Sequence, residues 1–193
     1  MAIKHKNGRI EVEELHAKSR HYLERMGLFK ILGVKTGISV IEHEPSGRFV
    51  PISRITDSAE LDKFITDIVP LLHLEPEQAE PIRYVISELV RNVLEHAQTP
   101  DGAIVCAQFY KKSNAIKIGV ADTGIGVKSS INSSYEASDD LAAIKLALTP
   151  GITGTTNKVG GTESNAGAGL FFIKSIAKTN RDFFVIYSGN AMY

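Results

Sequence analysis

The segment from Pro76 to Ala97, PEQAEPIRYVISELVRNVLEHA, constrains the fold more than any other part of the chain. At about 100° of turn per residue, its apolar side chains form one continuous arc on a helix, which is the pattern of a helix that covers a core. Pro76 suits the first turn of such a helix, and Pro81 predicts an early kink. At 193 residues the chain is long enough for one substantial core, so we expect one main domain. The arc consists of Val85, Ile86, Leu89, Val90, Val93, Leu94 and Ala97.

Three polar residues follow the margin of this arc at intervals of four. Glu88, Asn92 and His96 place a carboxylate, an amide and an imidazole in a row beside the predicted core. One interpretation is a helix edge whose polar groups are hydrogen-bonded or half solvated. The other is phosphate chemistry: Asn92 can supply a neutral oxygen to Mg²⁺, and Glu88 can deprotonate a water aimed at a terminal phosphate. For His96, a hydrogen bond to a backbone carbonyl is favoured over a catalytic role.

The first 70 residues contain periodic segments but no recognisable chemistry. Apolar spacing predicts a helix within residues 12–32 that ends near Gly27 or Gly33. GISVIEHE and GRFVPIS predict two short strands joined by the turn PSG. DSAELDKFITDIVPLL predicts a second helix, with Asp57 or Ser58 as its N-cap.

After the long helix, the sequence predicts a hairpin and two further helices. The turn TPDG precedes AIVCAQFY and AIKIGVAD, which form the two hairpin strands. Residues 127–166 are rich in small polar residues and contain one helical stretch, SDDLAAIKLALT, with Ser138 as its cap. A segment of this kind in a compact domain is typically functional or mobile. GAGLFFIKSIAK then predicts a helix and RDFFVIYSG a strand close to Tyr193, so the sheet can be completed by residues missing from this sequence.

Two glycine-rich stretches are candidates for nucleotide contacts. In ADTGIGV, Asp122 ends a strand, and Gly124 and Gly126 let a flat ligand approach the backbone while the carboxylate accepts a hydrogen bond from an adenine amino group. In NAGAGLFFIKSIAK, the free amides of residues 167–170 at the helix start can hold phosphate oxygens. The alternatives are a turn in which Asp122 caps local amides, and a tight turn that lets the helix pack closely on the sheet.

Composition gives no support to several classes of function. The 22 basic residues balance 22 acidic ones, so net charge gives no reason to expect binding to nucleic acid or to a membrane surface. No apolar run approaches membrane-spanning length, and the N-terminus has no apolar signal region. The single cysteine, Cys106, cannot form an internal disulfide, and its apolar, alternating surroundings predict a small buried residue. We therefore expect a soluble, cytoplasmic protein.

Three motifs in a fixed order resemble the GHKL superfamily, which includes DNA gyrase, the large heat-shock chaperone, histidine kinases and mismatch-repair ATPases. These motifs are the helix ELVRNVLEHA, then DTGIG after a strand, then GAGL at a helix start, with a polar lid between the last two. The resemblance covers roughly residues 76–193. It implies an α+β fold of the Bergerat type, a two-layer α/β sandwich in which helices cover one face of a mixed, mostly antiparallel sheet, with ATP between the helices and the lid.

The resemblance also implies roles for individual residues. Glu88 corresponds to the hydrolytic or phosphotransfer base, Asn92 to the Mg²⁺ ligand and Asp122 to the adenine acceptor. A threonine that many members carry on a later strand, near the adenine, has no clear counterpart before Tyr193, and Asn165 stands where many members have the first phosphate-loop glycine. The implied backbone contacts are Gly124 and Gly126 in the adenine loop, and Gly167, Ala168, Gly169 and Leu170 in the phosphate loop.

Three functions remain open from the sequence. The first is a Mg²⁺-dependent ATPase whose lid closes over ATP and which dimerises transiently as a homodimer. The second is a protein kinase acting on a separate phosphoacceptor protein, because the Glu88, Asn92, His96 spacing is similar to that of anti-sigma serine kinases. The third is a nucleotide-sensing module that recognises a protein partner. In each case residues 73–193 form the ATP-binding domain, which can be truncated at its C-terminus, and residues 1–72 form an extension of unknown role.

Overall fold

A computed structural model describes residues 2–6, 9–13, 19–39, 49–71, 75–152 and 168–193. The main sheet has three strands, and two long helices cover one of its faces. In chain order the elements are β1 (Ala2–Lys6), β2 (Arg9–Glu13), α1 (Arg20–Arg25), α2 (Leu28–Ile31), β3 (Phe49–Ile55), α3 (Ser58–Leu71), α4 (Pro76–His96), β4 (Ala103–Tyr110), β5 (Ala115–Ala121), α5 (Gly126–Ile131), α6 (Asp140–Ala147), α7 (Gly169–Asn180), β6 (Tyr187–Ser188) and β7 (Ala191–Met192).

The main sheet is antiparallel throughout its described part, in the order β3-β4-β5. Alternate residues of β4, namely Ala103, Val105 and Ala107, are buried and pack in one core with α3 and α4. On α4, Ile86 and Val90 are fully buried, as the apolar arc predicted. The predicted α+β fold, with helices covering one face of a mostly antiparallel sheet, is therefore confirmed.

The helix α3 and the strand β3 belong to the same core as α4. Ile55 on β3 and Ile68 on α3 are almost completely buried in the cluster that also contains Val90. Asp57 is the cap of α3, because its Oδ1 accepts a hydrogen bond from the Glu60 amide at 2.8 Å. The domain boundary at residue 73 stays a prediction, but β3 and α3 share the core of the proposed ATP-binding domain.

Part of the N-terminal region lies on the other side of the sheet. The Met26 carbonyl accepts a hydrogen bond from the Ile52 amide at 2.8 Å, and the Tyr22 hydroxyl donates to the Gln108 side chain on β4. Cys106, two residues before Gln108 and on the same face of β4, is only partly buried, and this burial raises the pKa of its thiol. The expected buried position for the cysteine is therefore met only in part, because β4 turns this side chain away from the main core.

The predicted helix within residues 12–32 is wrong in extent. Residues 9–13 form β2, which pairs with β1, and the helical part is two short helices separated at Gly27. Gly27 has a φ of 80°, the left-handed conformation that ends a helix. Residues 14–18 and 40–48 lie outside the described residues, and with them most of GISVIEHE, the first of the two predicted strands. The second, GRFVPIS, corresponds to β3.

Three further expectations after β5 need correction. An additional helix, α5, starts at Gly126, in a segment that was predicted to be a loop before the helical stretch SDDLAAIKLALT. The cap of α6 is Asp139 rather than Ser138, since Asp139 Oδ1 accepts a hydrogen bond from the Ala142 amide at 2.7 Å. The strand predicted for RDFFVIYSG shrinks to β6, which pairs with β7. Ile186 just before it exchanges two backbone hydrogen bonds with Tyr193, and residues 182–185 belong to no strand.

Candidate functional site

The polar margin of α4 is preserved in the folded chain. Glu88, Asn92 and His96 are each partly buried, while Ile86 and Val90 on the adjacent face are fully buried. The α-helical spacing of four residues therefore keeps a carboxylate, an amide and an imidazole on one edge of the core, as the sequence predicted.

Glu88 lies against the start of α7. A Cβ added to Gly169, the first residue of α7, would lie 2.2 Å from Glu88 Oε2. Such a distance is far below van der Waals contact, so the carboxylate occupies the space that any side chain at residue 169 would need. The structure thus brings together the predicted base and a predicted phosphate-loop residue, which are 81 positions apart in the chain.

The first turn of α7 has backbone donors without intrahelical acceptors. Among the described residues, the first helical hydrogen bond runs from the Phe172 amide to the Ala168 carbonyl at 2.9 Å, and Ala168 itself provides no side-chain cap. The amides of Gly169 and Leu170 therefore point out of the helix at its positive end, where an anion is stabilised. Gly167, the remaining phosphate-loop prediction, lies outside the described residues.

The DTGIG loop packs against the end of α4. Gly124 comes so close that a Cβ there would lie 2.1 Å from the Ala97 carbonyl oxygen, and the Ile125 amide donates to the same oxygen at 2.9 Å. Asp122 is exposed, and its Oδ1 accepts a hydrogen bond from the Gly124 amide at 2.8 Å. The loop thus has the local cap that the alternative interpretation predicted, and the close approach at Gly124 is made to α4. Contacts of Asp122 and Gly124 with a nucleotide stay predictions.

Gly126 is the first residue of α5 and has a φ of 78°. It lies beside Ser188, which the sequence did not single out. The Ser188 hydroxyl on β6 accepts a hydrogen bond from the Val127 amide at 2.9 Å, and a Cβ on Gly126 would lie 3.2 Å from the same oxygen. The next residues of this hairpin reach α6, since the Asn190 amide donates to Asp140 Oδ2 at 3.0 Å. The only sequence signal for Ser188 is a small hydroxyl residue just before a Gly-Asn turn, and that pattern is common.

Asn92 has an unusual environment. Its Nδ2 atom is buried and has no hydrogen-bond partner within the described part of the chain. A buried polar atom without a partner costs about 1–3 kcal/mol, so this asparagine does not contribute to stability through that atom. Within the same described residues, no group of three or more His, Cys, Asp or Glu side chains could hold a metal ion by itself.

The electrostatics of α4 follow from burial. Burial lowers the pKa of His96 below its ordinary value of 6.5, and the nearby Glu95 carboxylate partly opposes this shift. Burial also raises the pKa of Tyr84, and the negative charge of Glu88 one turn away adds to the effect. Around neutral pH the edge of α4 therefore presents a neutral imidazole and a neutral phenol on either side of Glu88.

The lowered pKa of His96 predicts acid sensitivity of the fold. Because the folded protein disfavours the charged imidazole, the unfolded state binds more protons below about pH 6.5, and the free energy of unfolding falls as the pH falls through that value. Urea unfolding of the parent protein and of His96→Gln from pH 8 to 5 checks this. We expect a flatter pH dependence in the variant, and an unchanged slope would contradict the assignment.

Comparison with known protein families assigns this chain to one of them. The histidine kinase-like ATPase domain matches residues 53–181, which include the end of β3, all of α3 and α4, the DTGIG loop and α7. The chain belongs to this family. The family is part of the GHKL-type superfamily, so the resemblance inferred from the three motifs is confirmed. No curated protein and no solved structure matches the chain.

Membership of this family implies nucleotide binding and activity of the ATPase or kinase type. The family match begins within β3, at residue 53, about 20 residues before the predicted domain boundary. No helix in the described part of the structure is long and apolar enough to cross a bilayer. The cytoplasmic location, the homodimer and the protein partner stay predictions.

Proposed function

We propose that this chain is a Mg²⁺-dependent ATP-binding domain that hydrolyses ATP, with the segment between α5 and α7 closing over the nucleotide. The observation that carries the proposal is the contact between Glu88 and Gly169. It puts a carboxylate able to act as a base beside first-turn amides that have no acceptor within the helix and are able to hold phosphate.

This contact suggests where each part of ATP binds. The ATP phosphates lie at the first turn of α7, where the amides of Ala168, Gly169 and Leu170 supply donors, together with Gly167. The adenine lies at the DTGIG loop, where Asp122 accepts a hydrogen bond from the amino group. Asp122 is exposed, and Gly124 accepts no side chain without a clash with α4. One carboxylate and the exposed loop backbone are therefore available to recognise a purine edge.

Asn92 fits the role of a Mg²⁺ ligand. Its buried Nδ2 atom has no partner among the described residues and is a donor able to contact a phosphate oxygen, while the oxygen of the same amide is the atom that can bind Mg²⁺. Mg²⁺ takes oxygen ligands, keeps several waters and is commonly held by few protein groups plus phosphates. The lack of a carboxylate cluster among the described residues agrees with such a site. When bound, the ion neutralises charge on the phosphate oxygens.

Glu88 performs the chemical step in this proposal. Its carboxylate takes a proton from a water molecule as the water oxygen bonds to the terminal phosphorus and the bond from that phosphorus to the ADP oxygen breaks. Inorganic phosphate and ADP are the products. The partly buried position of Glu88 holds the carboxylate at one end of α7's first turn, so that the water and the phosphate meet at a fixed distance.

The experiment that tests this function measures phosphate release and ATP affinity of the purified chain, with and without Mg²⁺. We expect Mg²⁺-dependent turnover in the parent protein. We expect Asn92→Ala to bind Mg-ATP about tenfold more weakly, the equivalent of ~1.4 kcal/mol, and to lose the stimulation by Mg²⁺. Asn180→Ala, which changes an exposed asparagine at the far end of α7, is the matched control. Equal Mg²⁺ stimulation in Asn92→Ala and the parent would contradict the assignment.

A protein kinase is the second candidate, and the observation that favours it is the row Glu88, Asn92 and His96 on one edge of α4. In this function the same base takes a proton from a serine hydroxyl of a partner, and the terminal phosphoryl group moves to that oxygen rather than to water. Incubation with radiolabelled ATP and protein from the same cells, with the parent chain and with Glu88→Gln, separates transfer from hydrolysis. ATP binding with neither hydrolysis nor transfer would support the nucleotide-sensing module.

A further inference from the structure

A hydrogen-bonded network joins the turn after α4 to the DTGIG loop. Thr123 donates its hydroxyl hydrogen to Asp101 Oδ2 at 3.0 Å, and the other oxygen of Asp101 lies 3.2 Å from the Arg54 guanidinium at the end of β3. Thr99 completes the network: its hydroxyl lies 3.0 Å from that of Thr123 and accepts a hydrogen bond from the Asp101 amide at 3.2 Å. The end of β3, the turn after α4 and the DTGIG loop therefore meet at Asp101.

The direction of each hydrogen bond follows from the donors available. An ionised carboxylate only accepts, so the single hydroxyl hydrogen of Thr123 goes to Asp101. Thr99 must then donate its hydrogen to the oxygen of Thr123. The Asp101 amide donates to the oxygen of Thr99, which closes a ring of Asp101, Thr99 and Thr123. In such a ring each hydroxyl donates and accepts, and removal of one member leaves another without its partner.

The network fixes the residue next to the proposed adenine acceptor. Thr123 stands between Asp122 and Gly124, and the backbone on its other side is held by the contact between the Ile125 amide and the Ala97 carbonyl. The loop is thus attached on both sides of Gly124. The side chains of Arg54 and Asp101 are about half exposed, with 48% and 44% of their surface accessible, so their ion pair adds little to stability. The hydrogen bond from Thr123 to Asp101 ties the loop to the turn after α4, and within the loop the Gly124 amide donates to Asp122 Oδ1 at 2.8 Å.

We propose that Thr123, held by Asp101, is a positioning residue for nucleobase recognition: it sets the place of the Asp122 carboxylate and so the preference for adenine over a 6-oxo purine. This inference rests on the proposed function, because it assigns Asp122 to the adenine amino group. A 6-oxo purine presents an acceptor where adenine presents a donor, and a carboxylate fixed in place discriminates between the two. A carboxylate on a loosened loop discriminates less.

The test compares affinities for ATP and inosine triphosphate in the full chain by calorimetry. The parent protein is expected to prefer ATP. Thr123→Val, which keeps the shape but removes the donor, is expected to bind ATP about tenfold more weakly, because the displaced Asp122 carboxylate loses its hydrogen bond from the adenine amino group, with unchanged affinity for inosine triphosphate. Thr123→Ser restores the donor and the preference. Thr66→Val, which removes an exposed threonine hydroxyl bonded to the Asp62 carbonyl on α3, is the matched control and keeps the parental ratio.

A second variant, Asp101→Ala, keeps the proposal testable if Thr123→Val does not fold. It is expected to lower the ATP preference as Thr123→Val does, and the double variant is expected to be no worse than either single variant, because both remove the same contact. Equal losses of affinity for both nucleotides, or an unchanged ratio in both variants, would overturn the positioning role. A parent protein that binds ATP and inosine triphosphate equally would overturn it too and would remove Asp122 from the adenine site. A parent protein that binds neither would instead reject the proposed function itself.

Discussion

Glu88→Gln is expected to lower kcat for ATP hydrolysis by about 10²- to 10⁴-fold while ATP binding persists. Glutamine has nearly the same shape as glutamate but cannot take a proton from water, so binding and chemistry separate in this variant. Phosphate release measured together with nucleotide titration checks the result. Glu77→Gln, at an exposed position in the first turn of α4, is the control on the same helix and should keep the parental kcat. An unchanged kcat in Glu88→Gln would reject Glu88 as the base.

Gly169→Ala tests the same contact from the other side. The added Cβ would lie 2.2 Å from Glu88 Oε2, the end of a flexible side chain, so the carboxylate can move away without a large loss of stability. We therefore expect a folded protein with a reduced kcat, since Glu88 no longer lies at the start of α7. If this variant turned over ATP like the parent protein, the contact between Glu88 and Gly169 would have no catalytic importance.

Gly124→Ala is expected to destabilise the fold by about 3 kcal/mol, the size of effect that a clash in a packed region produces. Here the added Cβ would lie 2.1 Å from the Ala97 carbonyl oxygen, and this backbone atom cannot move aside as a side chain can. The Ile125 amide bonds to the same oxygen, so relief of the clash would also break that hydrogen bond. Urea unfolding followed by circular dichroism measures the change.

Gly119→Ala on β5 is the matched control for this prediction. Its Cβ would lie 3.3 Å from the Cys106 sulfur, which is a side-chain atom, and Gly119 itself is exposed. Alanine there also restricts the unfolded chain, so we expect a change near zero or a small stabilisation. Similar destabilisation in both variants would show that the close packing of Gly124 on α4 is not what makes glycine necessary at that position.

Local sequence signals predicted most of the elements around the site. The apolar period of α4, the alternation in β4 and β5 and the glycines before α7 are properties of neighbouring residues, and the elements formed where these patterns indicated. The cap of α6 was placed one residue too early because Ser138 and Asp139 are both good caps, and only the backbone geometry decides which one reaches the Ala142 amide. The strand at RDFFVIYSG depended on pairing with another strand, which no local pattern can supply.

The sequence by itself determined that a carboxylate, an amide and an imidazole lie on one edge of α4, because helical periodicity fixes which residues share a face. It also determined the order of the three motifs that identify the family. Only the tertiary structure decided that Glu88 meets Gly169, that Gly124 packs on Ala97, and that Asp101 holds Thr123. Each of these contacts joins residues that are 22 to 81 positions apart in the chain. Such contacts depend on how helices and loops pack around the sheet, and the order of residues along the chain does not reveal that packing.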